Sequence, residues 1–146
     1  MARIVDTGIA VTGSNAIHVT MLFGVDVSFT AAEIAEGRSG AATYSVFLMI
    51  WDEDTVFDDR IVSAGRDIAP ADMKARVGID FPAELEFANL RRKEPLIESL
   101  LGGGIEIFGE FTVRKNNRAI APSVRSRPLS VPFPLPLPPF LHRPAP

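Results

Sequence analysis

The strict alternation of apolar and polar residues from His18 to Phe29 constrains the fold of this chain more than any other feature of its sequence. Every second position of this segment is apolar, at Val19, Met21, Phe23, Val25, Val27 and Phe29. Side chains along a β-strand alternate between the two faces of a sheet, so this period predicts one long strand with a single buried face. We therefore expect a sheet that lies against a core.

The same signal recurs along much of the chain. Residues 43–51 are apolar at both parities, which predicts a central strand covered on both sides. Further strands are predicted at residues 3–11, 60–63, 77–81, 84–87, 105–113 and 119–124. Seven or eight short strands separated by turns indicate an all-β sandwich or barrel, and we predict an antiparallel β-sandwich.

One or two short helices are predicted between the strands. Thr30 and Glu33 have the spacing of a capping box, and Gly37 could end a two-turn helix. The same stretch also fits a hairpin that turns at residues 37–40. Residues 95–101 are a better helix, because a proline stands in the first turn and three glycines follow the end.

Length and composition indicate one globular domain, which we place at residues 1–127. The chain has 146 residues, of which 47% are hydrophobic and 23% are charged, and this is enough for a single core. The formal net charge of −3 supplies no basic excess, so no nucleic-acid partner is expected. The absence of cysteine excludes disulfides and cysteine-ligated zinc.

The sequence shows no targeting or membrane-spanning signal. Its first residues lack the apolar run of a secretory signal, and nowhere do eighteen uncharged apolar residues follow one another. We therefore expect a chain made as a soluble cytoplasmic protein, and the compartment in which it acts is left open.

The sharpest chemical feature is an acidic run that follows the central strand. Five carboxylates lie within eight positions, at Asp52, Glu53, Asp54, Asp58 and Asp59. Hard cations such as Ca²⁺ take six to eight oxygen ligands, and an acidic loop between two strands can supply several of them. The alternatives are a solvated loop whose acids pair with Arg60 or Arg66, and a contact with a protein partner.

The segment from Tyr44 to Ile61 resembles the third calcium loop of C2 domains. In that family an apolar strand ends in a run similar to Trp-Asp-Glu-Asp, crosses a short tip, and returns through Asp-Asp and an apolar residue. The resemblance implies that Asp52, Asp54 and Asp58 or Asp59 are calcium ligands. It also implies that Val56 and Phe57 form the tip that touches a membrane or a protein. The sandwich would then be C2-like, where the strand pattern alone also fits an immunoglobulin-like one.

Other candidate catalytic groups are few. The two histidines, His18 and His142, have neither metal-ligand spacing nor an adjacent nucleophile. Two carboxylates could cleave a glycosidic bond, but that chemistry needs separated acids in a cleft, whereas these acids share one loop. We therefore expect no enzyme activity, no catalytic residue and no cofactor other than Ca²⁺.

Residues 128–146 form a proline-rich extended arm, in which eight of the nineteen residues are proline. Proline occupies every second position from Pro132 to Pro138, so the backbone donors are removed along one edge only. This strip, residues 132–138, could therefore pair with the edge strand of a sheet, and its other edge could not pair with a further strand. Polyproline II recognition is the rival interpretation. The apolar residues expected to contact a partner are Val131, Phe133, Leu135, Leu137 and Phe140.

These features favour a non-enzymatic structural or assembly subunit. It would self-associate, or dock on a protein partner, through its β-sandwich and the proline-rich arm. This prediction rests on analogy with assembly proteins of similar architecture. The alternative is a C2-like, calcium-dependent module that binds a membrane or a protein through the acidic loop 52–59.

Overall fold

The computed structural model describes residues 1–52, 59–86 and 104–132 of the chain. Within these ranges the strands form two antiparallel sheets. Sheet A has the order β1-β2-β5, with the bounds β1 Arg3–Ser14, β2 His18–Ser28 and β5 Arg76–Glu86. Sheet B has the order β4-β3-β6, and three short strands share the far side of β6. Its bounds are β3 Tyr44–Asp52, β4 Asp59–Asp67, β6 Gly104–Lys115, β7 Arg118–Ala119, β8 Val124–Arg125 and β9 Leu129–Pro132.

The predicted β-sandwich is confirmed, and its core lies between the two sheets. All the apolar residues of the alternating segment are buried, with Phe29 just beyond the end of β2. Phe81 of sheet A meets Phe111 of sheet B with ring centroids 6.2 Å apart. The period of two therefore marks the inner face of sheet A, as expected for a half-buried strand.

Strand β3 is central in sheet B, and side chains of its own sheet cover its second face. The inner residues Tyr44, Val46, Leu48 and Ile50 are buried, and the outer residues Phe47, Met49 and Trp51 are half-buried. Arg114 lies 4.2 Å above the Phe47 ring, and Trp51 stacks on Phe108. Because arginine and aromatic side chains provide this cover, no third layer is needed to explain the apolar outer residues.

Several strand bounds differ from the expectation. The two short strands predicted around Pro82 are one continuous strand, β5, because proline is tolerated where an edge strand needs no donor. Strand β4 runs to Asp67, well beyond the predicted residue 63. The segment 119–124 is not one strand, since it contains only parts of β7 and β8.

The segment after β2 forms a helix and not the alternative hairpin. Helix α1 spans Ala31–Ser39, and its capping box joins Thr30 and Glu33 in both directions. The helix ends at Gly40, whose φ of 79° suits glycine. A 3₁₀ helix, Pro70–Asp72, lies near it. The second predicted helix, at residues 95–101, falls outside the described residues.

The two ends of the sandwich differ. At the helix end, Phe29 donates to the Ala75 carbonyl and Ile68 donates to the Tyr44 carbonyl. The first bond joins the end of β2 to the start of β5 in sheet A, and the second joins the end of β4 to the start of β3 in sheet B. At the opposite end, which we call the loop end, lie the β1–β2 turn, the paired residues Asp52 and Asp59, and the last residues of β5 and β9.

Candidate functional site

The acidic run begins at the loop end of sheet B. Asp52 is the last residue of β3, is only 5% exposed, and lies directly opposite Asp59 of β4 and beside Ile107 of β6. The backbone register thus places two of the predicted calcium ligands on neighbouring strands. Asp54, Asp58 and the tip residues Val56 and Phe57 lie outside the described residues. In the described parts of the chain, no three His, Cys, Asp or Glu side chains are placed to hold a metal ion.

The first residues of the predicted arm belong to the sandwich. Strand β9 pairs with the start of β6, and Val131, opposite Ile105, is only 2% exposed. Val131 therefore packs into the core of its own domain. Pro132 lies opposite Gly104, the first residue of β6, so β9 reaches the end of sheet B. The other predicted contact residues, Phe133, Leu135, Leu137 and Phe140, lie outside the described residues.

An acidic depression occupies the outer face of sheet A. Asp6, Asp26 and Asp80 surround a floor that includes Gly8 and Gly24. The depression is shallow, at about 210 Å³. Arg76 donates to Asp26 at 2.8 Å and so compensates part of the charge. The three aspartates come from three different strands, so their proximity could not be predicted from the sequence alone.

A second cluster of ionisable groups ties the helix to sheet B. Lys115 lies 2.7 Å from Glu36 of α1, and the Tyr44 hydroxyl donates to the same carboxylate. The hydrogen bond and charge of Lys115 hold the pKa of Glu36 below its ordinary value. Burial raises the pKa of Tyr44. The bonds of this cluster run between α1, β3 and β6, so it holds the helix end together.

A groove of about 510 Å³ separates the edges of β4 and β5. Its lining mixes both signs of charge, with Arg66 and Lys74 beside Asp67 and Asp72. Arg66 reaches across it and donates to the backbone carbonyl of Asp80. The Arg66 side chain therefore links the edges of β4 and β5 across the groove.

Three of the four sheet edges carry features that oppose pairing with a further strand. On β5, Pro82 lacks a donor, and Arg66 occupies the Asp80 carbonyl. On β4, the charged residues Arg60, Arg66 and Asp67 lie along the strand. On the third edge, Pro132 ends β9, and Pro122 and Pro128 lie just before β8 and β9.

The fourth edge, on β1, has no neighbouring strand among the described residues. Residues 7–14 carry neither charge nor proline, and their pairing with β2 is regular from Asp6 to Val11. The Arg66 contact shows that the Asp80 backbone points away from β2, and the register then turns the Gly8 backbone toward β2. The backbone groups of Thr7, Ile9 and Val11 consequently face outward. We call these three residues the open edge.

Sheet B extends one strand beyond the open edge. Strand β5 lies beside β4 across the groove and β1 packs over β6, and among the described residues no strand of sheet A follows β1 on this side. Val124 of β8 pairs with the inward residue Phe111, yet it is 38% exposed. Val11 at the open edge is 41% exposed. Apolar inner-face residues of both sheets are thus in contact with water on this side of the molecule.

Sequence reasoning missed the open edge. The composition of β1 is visible in the sequence, but a strand becomes an edge only through the order of strands in its sheet.

No helix in the described ranges combines the length and the apolar character needed to cross a membrane.

No protein-family model and no curated protein sequence matches this chain. Two solved structures share its fold: a "putative beta-galactosidase" from Bacteroides fragilis and a glycosyl hydrolase family 2 member from Bacteroides cellulosilyticus. Their TM-scores are 0.54 and 0.55, with 10% and 8% identity, over 86% and 87% of this chain. The chain spans only 16% and 14% of their lengths. The chain therefore has the fold of a β-sandwich that also occurs as a small part of these much longer proteins.

Proposed function

We propose that this chain is a non-enzymatic assembly subunit that self-associates through its β-sandwich and its C-terminal arm. The observation that carries the proposal is the open edge of β1. A segment of an edge strand that carries neither charge nor proline is a template for pairing with another chain, and proteins usually protect such edges. The register shifts and the charged residues of β1 lie outside residues 7–11, so this middle part of the edge favours a strand partner.

The likeness to parts of longer proteins agrees with this role by analogy. In the two fold neighbours a β-sandwich of this kind accounts for about a sixth of the chain. The fold can thus serve as a building block within a larger body. Function still has to be argued from sites, since one fold hosts many functions.

The test is light scattering after size exclusion, on the full chain and on a chain that ends at Pro132. This end point keeps β9, whose Val131 lies in the core. We expect the full chain to form an assembly and the shortened chain to be a folded monomer, with Ca²⁺ or chelator making no difference. A full chain that stays monomeric at all concentrations would contradict the proposal.

A second candidate function is the C2-like calcium-dependent module, favoured by the pairing of Asp52 with Asp59. Carboxylate oxygens are ligands that Ca²⁺ takes readily, and an acidic loop that joins two paired strand ends can supply several of them. Bound Ca²⁺ would stabilise the folded state by mass action, so millimolar Ca²⁺ is expected to raise the melting temperature. The change Asp52→Asn with Asp54→Asn should abolish the rise.

Magnesium at the same concentration is the control for that experiment, because it prefers a smaller and more rigid site than Ca²⁺. An equal rise with both ions would indicate a general effect of ionic strength. An unchanged melting temperature in millimolar Ca²⁺ would rule the module out.

A further inference from the structure

We infer that the open edge of β1 receives residues 133–138 of the arm of a second copy, as a fourth strand of sheet A. This inference rests on the proposed assembly function and names the two surfaces that would meet.

The space for such a strand exists beside β1. In the part of the chain that the structure describes, sheet A ends at β1, whereas sheet B continues to β8 and β9. A strand added at the open edge would lie beside Val11 and above Val124 of β8, which are now 41% and 38% exposed, whereas Val131 of β9 is already buried. The narrower sheet would then match the width of the wider one.

The alternating sequence of the arm fits this position on both of its edges. The outward backbone groups of the open edge belong to Thr7, Ile9 and Val11. In an extended arm, residues 133, 135 and 137 keep their N–H groups on one edge and can pair with them. The prolines at 134, 136 and 138 then place their missing donors on the far edge, where no further strand can add.

The same register also sorts the side chains. Directly opposed residues in an antiparallel pair lie on the same face of the sheet. Ile9 belongs to the inner face, where it packs against the core. Phe133, Leu135 and Leu137 would therefore face the core side, and the prolines would face water.

Strand β9 already shows this arrangement. There Val131 is buried on the inner face and Pro132 is exposed, on a strand that closes the side of β6. The alternation continues from Pro132 without a break. The arm would thus repeat on sheet A of a neighbour what β9 does on sheet B of its own domain.

The position of Pro132 favours a neighbouring copy over the same chain. Pro132 lies opposite the first residue of β6, so the strip leaves sheet B at the loop end. To reach β1 of its own domain, the strip would have to cross the roughly 10 Å between two packed sheets and reverse its direction. That reversal would break the extended alternation, whereas a neighbour can meet it without a bend.

The test uses full-length variants and native mass spectrometry with light scattering. Val11→Lys places a charge on the open edge, and its control is Val62→Lys, at a valine of 37% exposure on the opposite edge strand β4. Leu135→Asp places a charge in the paired part of the arm, and its control is Ala145→Asp. We expect loss of the assembly with Val11→Lys and Leu135→Asp, and none with the two controls.

Mixing the two dissociated variants separates exchange between copies from docking within one chain. Val11→Lys keeps a competent arm, and Leu135→Asp keeps a competent edge, so one contact can form between them. We expect a one-to-one heterodimer and protection of the Thr7, Ile9 and Val11 amides from hydrogen exchange. Two variants that stay monomeric when mixed would overturn the exchange.

The other outcomes are equally decisive. An assembly that survives Val11→Lys but not Leu135→Asp would show that the arm docks elsewhere, which overturns this inference and leaves the proposed function standing. A wild-type chain that is monomeric throughout would remove both. Melting curves of each variant check that it is folded.

Discussion

At the scale of single residues, Gly109 is the position where the core has least room. A Cβ atom there would lie 2.9 Å from Cδ1 of Phe23 and 3.1 Å from Cδ1 of Leu48. Both side chains are buried, so neither can move aside freely. We expect Gly109→Ala to lower the free energy of unfolding by about 1–3 kcal/mol in urea denaturation.

Gly8 provides the matched control for that substitution. It lies in β1 of the other sheet, and a Cβ there would meet no atom within 4 Å. Gly8→Ala should leave the free energy of unfolding unchanged or slightly raise it, because alanine restricts the unfolded chain. Equal losses from both substitutions would contradict the packing argument.

Glu33 links the acid stability of the protein to one side chain. Its burial opposes ionisation, but hydrogen bonds from the backbone N–H groups of Thr30 and Ala2 outweigh this and hold its pKa below the ordinary value of 4.5. A lowered folded-state pKa gives stability that is complete above the unfolded pKa and is lost as the pH falls through the folded one. Stability should therefore fall below about pH 4.5.

The check is urea denaturation at several pH values between about 6 and 3. Glu33→Gln cannot ionise, so its free energy of unfolding should depend less on pH over this range than that of the wild type. Identical slopes in the two proteins would show that Glu33 does not contribute to acid stability.

At the scale of elements, helix α1 depends on its first turn. The Thr30 hydroxyl accepts from Glu33 N at 3.2 Å, and this is one half of the capping box. Thr30→Ala should lower the free energy of unfolding by about 1 kcal/mol, whereas Thr30→Ser keeps the acceptor and should cost little. Thermal denaturation of the two variants checks this, and equal losses would contradict the role of the hydroxyl.

The elements that sequence predicted well are those whose signal is local. The alternation of β2 and the capping spacing of α1 each depend on neighbours a few positions away. The bounds of β5 were wrong because Pro82 interrupts a strand only where its missing donor is needed, and here it lies on an edge. The cover over Phe47 comes from Arg114, which is distant in sequence.

For the candidate site too, the local features could be predicted from the sequence and the long-range ones could not. The alternating prolines of the arm and the acidic run were visible in the sequence. The open edge was not, because it depends on which strands lie beside β1 and how far sheet B extends past it. The placement of Val131 in its own core also required the pairing of β9 with β6.

At the scale of the whole molecule, the boundary of the packed domain lies beyond the predicted residue 127. A chain ending at Arg127 lacks β9, which leaves Gly104–Ile107 of β6 unpaired on one side and removes Val131 from the core. We expect this chain to lose about 3 kcal/mol or more of stability, since it leaves a cavity and unpaired backbone. Urea denaturation should show the loss for the end at Arg127 and none for the end at Pro132.

The contact between Arg66 and the Asp80 carbonyl limits how many neighbours each molecule could bind in an assembly. With Arg66 and Pro82 closing β5, sheet A accepts a strand on one side only. Under the inferred exchange, each molecule would have one donor, the arm, and one acceptor, the open edge, and neither would be self-complementary. Such units would join head to tail, so the inferred exchange predicts a closed ring or an unbranched polar filament.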